Sequence, residues 1–201
     1  MTDLGLRRIA IIGAGAMGCS LAAITSSHVK TVLVVRNDAL RAQISQYGIV
    51  LSGELEAAGK PVVAGQIEDL AEIHPINLVF IATKTTSIAE VCAAMAPHLS
   101  DLPFLVSYQN GIEPGKTIIK TLGTRRVLRM VLNYGARLVE RSPSDGPLQV
   151  EVPVHRPPHQ VGGERTDVTS FAAALAPLLT SMGLPTEFVA DIDGAVWQKG
   201  L

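Results

Sequence analysis

Cysteine is scarce in this chain. Cys19 and Cys92 are the only two in 201 residues, far apart and outside any C-x-x-C pair. That removes a dithiol redox motif and makes a reduced, cytoplasmic setting the expectation. Long apolar runs are also missing: nothing approaches the ~18 uninterrupted residues of a membrane span. The N-terminus has no signal-type apolar region followed by a small-residue cleavage site. Excess charge of either sign is absent, with a formal net charge of -1. Nothing in that balance attracts nucleic acid or a membrane surface, and neither partner is expected. Of the histidines His28, His74, His98, His155 and His159, only the last two lie close together. They flank Arg156-Pro157-Pro158 with no cysteine or carboxylate beside them, so no metal site is expected. The length allows one large domain, or one and a fraction.

What is present begins at Ile9-Ala10-Ile11-Ile12, an apolar run leading into Gly13-Ala14-Gly15-Ala16-Met17-Gly18. The small-residue stretch Cys19-Ser20-Leu21-Ala22-Ala23 follows. The order is strand, tight turn, helix. Gly13 permits the turn, Gly15 lets a pyrophosphate approach the backbone, and Gly18 lets the helix pack close to the strand. The helix N-terminus then offers free N–H groups to phosphates. A G-x-G-x-x-G alone is a weak signal, but this context is the one a dinucleotide site requires.

The same reading continues along the chain. Val32–Val35, Leu78–Ala82, Pro103–Ser107 and Val127–Val131 read as buried strands. Helices are expected from Asn37-Asp38 to about Gln46, from Ser87 to Leu99, and from Pro114 to a stop at Gly123. Residues 48–65 read as a small strand region or hairpin. The segment Arg141–Gly163 is rich in Pro and Gly, with Gln149–Val154 expected as an edge strand. Thr169–Met182 has helical spacing with a kink expected at Pro177, and Thr186–Val189 is a last short strand. Alternating strands and helices predict an α/β fold: an open, mostly parallel, doubly wound Rossmann-type sheet. Asp191–Leu201 reads as the first turns of a new helix with acidic caps. The expected organisation is therefore a cofactor domain over 1–190 and, at 191–201, the start of a helical domain that the sequence does not continue. A helix so placed lacks a packing partner for Trp197, which leaves self-association into a homo-oligomer open.

Four positions carry candidate chemistry. Arg36 follows the second strand, where NAD-binding units place an acid; an arginine there can pair with a 2′-phosphate and favours NADP. A solvated surface arginine is the plain alternative, and Asp38 could be the acid placed slightly late. Lys84 stands at the carboxyl end of a strand, where ligands of this fold collect. Asn110 closes another strand and can donate and accept near a nicotinamide or substrate, although an Asn-Gly turn needs no ligand to explain it. Cys19, in the first turn of the phosphate-binding helix, reads as a small packing residue.

Taken together, Gly13–Gly18, Arg36, Thr83-Lys84, Gln109-Asn110-Gly111, Asn133-Tyr134-Gly135-Ala136 and Trp197-Gln198-Lys199 resemble the ketopantoate reductases (2-dehydropantoate 2-reductases). The resemblance covers essentially the whole chain, and the pairing of Lys84, Asn110-Gly111 and the terminal Trp-x-Lys is its specific part. It implies NADPH-dependent reduction of a 2-oxo acid to a 2-hydroxy acid, 2-dehydropantoate to pantoate in pantothenate biosynthesis. It implies that Arg36 and Lys84 hold the 2′-phosphate of NADP(H). Cofactor contacts are expected at Gly13, Ala14, Gly15, Ala16, Met17, Gly18, Asn110 and Ala136. It implies that Lys199 bonds the substrate carbonyl oxygen as acid and that Asn110 sits by the nicotinamide and substrate. The sequence departs from the family after Lys199: the asparagine that follows on the same helix and the all-helical domain beyond are absent. The isolated chain is therefore expected to bind cofactor and to be inactive. Two other readings stand beside this one: a non-catalytic nucleotide-binding or regulatory module, and another two-domain NAD(P) dehydrogenase.

Overall fold

A computed structural model describes residues 4, 6–73, 75–98, 103–111, 113–139 and 146–200. His74, Leu99, residues 141–145 and Leu201, which entered the sequence reading, lie outside the described residues.

The apolar runs form the centre of an eight-stranded sheet. Its strands are β1 (Arg8–Ile12), β2 (Lys30–Val34), β5 (Val62–Ala64), β6 (Leu78–Ile81), β7 (Phe104–Ser107), β8 (Val127–Val131), β11 (His159–Gly163) and β12 (Thr186–Phe188). The order is β12-β11-β8-β7-β6-β1-β2-β5. Every neighbouring pair is parallel except β8 with β11. Both faces are covered, so the central strands are continuous apolar runs rather than alternating ones. The expected doubly wound α/β sheet is thus the one observed.

Register positions the site. Ile12 pairs with Val34 on one side and Ile81 on the other, Ile81 pairs with Ser107, and Ser107 with Arg129. The carboxyl ends of β1, β6, β7 and β8 therefore lie in one row. The chain reverses its winding direction between β1 and β6, the place where open α/β sheets bind ligands.

The remaining strands, β3 (Ile49–Gly53), β4 (Ala57–Gly59), β9 (Tyr134–Leu138) and β10 (Leu148–His155), make a second, four-stranded sheet ordered β4-β3-β10-β9. Helix α1 (Ala16–Thr25) is held between the two sheets, and every residue from Gly18 to Thr25 is buried. That explains its composition. A helix covered on all sides needs apolar or small residues all round. At Gly59 of β4 a side chain would meet the Ala23 carbonyl of α1, so the second sheet can come this close only where a Cβ is missing.

Residues 48–65 form the expected small strand region, with β3 and β4 paired antiparallel in the second sheet and β5 at the edge of the first. One expectation changes here. The strand expected at Gln149–Val154 is present, but it is not an edge. It lies between β9, the strand just before it in the chain, and β3, which comes from a segment far away in sequence. The helices otherwise follow expectation. α2 (Asp38–Tyr47) is capped by Asn37, whose side chain accepts from the Leu40 N–H at 2.9 Å. α3 (Ile88–Met95) ends in a tighter turn over Ala96–His98. α4 (Pro114–Leu122) stops at Gly123 in the left-handed conformation. α5 (Thr169–Ser181) runs through Pro177. α6 (Ile192–Gly200) opens with Asp191 accepting from the Gly194 N–H at 2.8 Å.

Candidate active site

The glycine turn does what its sequence spacing requires. Gly13 has φ +115, and a Cβ there would come within 2.9 Å of the Ala82 carbonyl carbon and the Thr83 nitrogen. Gly18 faces the Gly13 carbonyl so closely that no side chain fits. Gly15 is the reverse case: a Cβ on it would meet nothing within 4 Å. It is the N-cap of α1 and carries no side-chain cap. The helix therefore presents its N-terminus to open space, an anion site by geometry.

From this turn a groove runs along the strand ends as three adjoining clefts. The first, of about 480 Å³, is lined by Gly13, Ala14, Gly15, Arg36 and Lys84 among others. Arg36 and Lys84, expected to share one phosphate, do share one cleft. Asp38 lies in the adjacent recess beyond Arg36, paired with Arg41 at 2.7 Å. Its side chain is largely exposed and is not among the residues lining the first cleft. The second cleft, about 430 Å³, adds Met17, Tyr108, Gln109 and Asn110. The third, about 270 Å³, is lined by Gln109, Asn110, Gly111, Arg129, Val196 and Lys199 among others. Shared Ala82, Thr83 and Lys84 join the first cleft to the second. Shared Gln109 and Asn110 join the second to the third.

Lys199 reaches the groove because α6 docks on the sheet. Ile192 and Ala195 pack on Val131, and Gly162 of β11 leaves room for Ile192. The Lys199 ammonium donates to Asn110 Oδ1 at 2.8 Å and to the Leu132 carbonyl. Burial lowers its pKa from the ordinary lysine value. These two candidate residues, 89 positions apart, are hydrogen-bonded. Trp197, on the same helix, is 58% exposed.

Three residues of the site were not singled out from sequence. Arg129 projects from β8 beneath the Asn110-Gly111 turn and donates to the Gly111 carbonyl. Its side chain is 1% exposed, as is that of Glu164, whose carboxylate lies 3.9 Å away. Burial lowers the Arg129 pKa and raises that of Glu164, each opposed by the other's charge. A signal was available: an arginine inside Val127-Leu128-Arg129-Met130-Val131 breaks the apolar pattern of a buried strand. Gln109 is the third. Its Oε1 accepts from Ser107 at 2.9 Å, and its buried Nε2 meets no hydrogen-bond partner among the described residues.

The remaining expectations fall as follows. Ala136 lies in β9, partly buried against the core, and is not among the residues lining the three clefts. Ala16 opens α1 but lines none of them either. Cys19 is fully buried, its thiol pushed up to about 12 by burial, in keeping with a packing role. Among the described residues no cluster of three metal-ligating side chains occurs, and no helix is long and apolar enough to cross a membrane.

A dinucleotide fits this groove. The open Gly15 cradle suits a pyrophosphate, and two buried polar atoms along the groove, Thr83 Oγ1 and Gln109 Nε2, meet no hydrogen-bond partner among the described residues.

Comparison with known proteins gives the same direction. The fold matches a PanE/ApbA family ketopantoate reductase from Ralstonia eutropha JMP134 at 23% identity and TM-score 0.76, over 96% of this chain and 59% of that one. It matches 2-dehydropantoate 2-reductase from Porphyromonas gingivalis W83 at 19% identity and TM-score 0.76, over 96% and 67%. A D-mandelate dehydrogenase solved with NADH and anilino(oxo)acetate matches at 19% identity and TM-score 0.77, over 96% and 60%. The chain thus spans about 60% of the length of such structures. No curated protein sequence matches. The family model described as Ketopantoate reductase PanE/ApbA matches residues 9–152, well over half the sequence, and the chain belongs to that family.

Proposed function

We propose that this chain is the cofactor-binding portion of an NADPH-dependent 2-oxo acid reductase, with 2-dehydropantoate as its substrate. The observation that carries the reading is the hydrogen bond between Lys199 and Asn110, made at the far end of a groove that begins at the Gly15 cradle. In this reading residues 1–190 form the cofactor domain and 191–201 open a further helical domain.

The geometry supports the following roles. The α1 N-terminus takes the pyrophosphate. Arg36 and Lys84 supply positive charge to a 2′-phosphate in the first cleft. Asn110 holds the nicotinamide end and orients Lys199. NADPH, when bound, supplies the hydride that reduces the ketone. Charge grows on the substrate oxygen as the carbon is reduced. The Lys199 ammonium stabilises that charge and gives up a proton from Nζ to the oxygen. Its lowered pKa makes that proton easier to release. A D-mandelate dehydrogenase with NADH among the similar structures makes NADH the competing cofactor. Arg36 in the cleft and Asp38 turned to Arg41 support NADPH.

The test is a fluorescence titration of the chain with NADPH and with NADH. NADPH is expected to bind more tightly; equal affinities or an NADH preference would overturn the cofactor assignment. Robust ketopantoate reduction by these 201 residues alone would overturn the assignment of a separate substrate domain.

A further inference from the structure

The Leu132–Asn133 peptide unit is bonded at both ends. Its carbonyl accepts from Lys199, and its N–H donates to His159 Nδ1 at 3.0 Å. His159 is fully buried on β11, and its own backbone N–H donates to the Pro185 carbonyl at 2.8 Å. A backbone N–H can only donate, so Nδ1 carries the lone pair. A neutral ring then carries its proton on Nε2. That N–H faces His155 Nε2 at 3.3 Å, which accepts. Tyr134 packs against both imidazoles, with centroids 5.3 Å from His159 and 6.4 Å from His155. Around this pair the backbone is pinned again: Asn133 Nδ2 donates to the Pro158 carbonyl at 2.7 Å, and the Arg156 N–H to the Asn133 carbonyl at 2.7 Å. Burial and the neighbouring His155 and Lys199 hold the His159 pKa down to about 4, so the ring is neutral near pH 7.

We infer that His159 is a positioning residue for Lys199, acting through the Leu132–Asn133 peptide. This rests on Lys199 being the acid of the proposed reaction. A peptide plane has two faces of opposite polarity. With its N–H bonded to His159, its carbonyl points at the ammonium and helps hold it in the groove. Turned over, the plane would present an N–H to a cation. The Asn133 N–H fixes the His159 tautomer, His155 accepts from the Nε2 proton that results, His159 holds the plane, and the plane together with Asn110 holds Lys199. The two histidines thereby gain a role although they bind no metal in this reading.

The experiment compares His159→Asn, His159→Gln and His159→Leu in the 201-residue chain. An asparagine amide can place an acceptor where Nδ1 was; glutamine reaches toward Nε2, and leucine offers none. The readout is the acetylation rate of Lys199, followed by peptide mass spectrometry with Lys30 and Lys60 as exposed internal standards. The ammonium is unreactive, so loss of a charge-assisted bond to it raises the rate, about tenfold for a bond of ordinary strength. His159→Leu and His159→Gln are expected to show that rise and His159→Asn the wild-type rate. Equal rates in all three, or a rise in His159→Asn equal to that in His159→Leu, would overturn the inference. A second measurement needs no histidine substitution. Wild-type protein is expected to show a scalar coupling between the Asn133 amide nitrogen and His159 Nδ1, and Lys199→Met to shift that amide resonance. An absent coupling or an unmoved resonance would overturn it. Neither readout uses NADPH, so failure of cofactor binding sinks the proposed function and not these results.

Discussion

At the Arg36 end of the groove the wall is mostly backbone: a left-handed glycine, an open glycine N-cap and the turn at Ala82-Thr83. At the Lys199 end the wall is side chains held in place by other buried side chains. Arg129 lies on Glu164, Asn110 on Lys199, and the Leu132–Asn133 peptide on His159. The first kind of site is centred on one short stretch, Gly13–Gly15, set against the ends of β2 and β6. The second needs four distant segments, around Asn110, 129–133, 159–164 and Lys199, to arrive together. Substitutions should therefore separate the two ends: at the nucleotide end they should cost binding and spare the fold, and at the lysine end they should cost the fold as well.

The largest effect is expected at Glu164. Glu164→Ala leaves the Arg129 guanidinium buried beside an empty place, and breaking a buried pair this way costs about 3–5 kcal/mol. Urea unfolding would read it; a loss under 1 kcal/mol would show that the pair is not what holds this end together.

His159 comes next. Its folded pKa, about 4, lies below the ordinary histidine value of 6.5. A folded state that binds the proton less tightly is stabilised above the unfolded pKa and loses that stability as pH falls toward 4. The shift corresponds to at most about 3 kcal/mol. Glu164, with its raised pKa, titrates in the opposite sense, so the quantity to measure is the difference between wild type and His159→Asn. The wild type should lose more stability between pH 6.5 and 4. Parallel curves would mean that His159 is not buried as a neutral ring.

Arg36→Ala belongs to the other end. A charge-assisted contact is worth about 1.5–3 kcal/mol, so NADPH affinity should fall roughly 10- to 100-fold while NADH affinity and melting temperature stay put. Gly15→Ala sharpens the point: the added methyl meets nothing in the protein, so only the ligand should notice it. The smallest effect is expected at the exposed Arg137–Glu151 pair of the second sheet, 2.6 Å apart. Arg137→Ala should change stability by under about 1 kcal/mol.

The same contrast explains how far the chain could be read from its residues. Strand β1, the glycine turn and α1 are contiguous, and each residue type has one local reason to be there. The buried strands β2, β6, β7 and β8 announce themselves by short apolar runs. The second sheet does not, because its short strands alternate weakly and pair across a hundred residues, as Leu148 does with Ile49. Asn110 stood out by its place at a strand end, although an Asn-Gly turn looks ordinary alone, and Lys199 was accessible only through resemblance. Arg129 could be suspected from the break it makes in a buried apolar strand, but its pairing with Glu164 and the contact of His155 with His159 depend on which strands become neighbours, and no local pattern carries that.

The central claim is that one dinucleotide spans both ends of the groove. Backbone amide spectra recorded during an NADPH titration test it most directly. The account predicts that Gly13, Gly15, Arg36, Lys84 and Asn110 shift together on a single binding curve, while β3 and β4 of the second sheet stay still. Shifts confined to one end, or none at these residues at saturating NADPH, would contradict it.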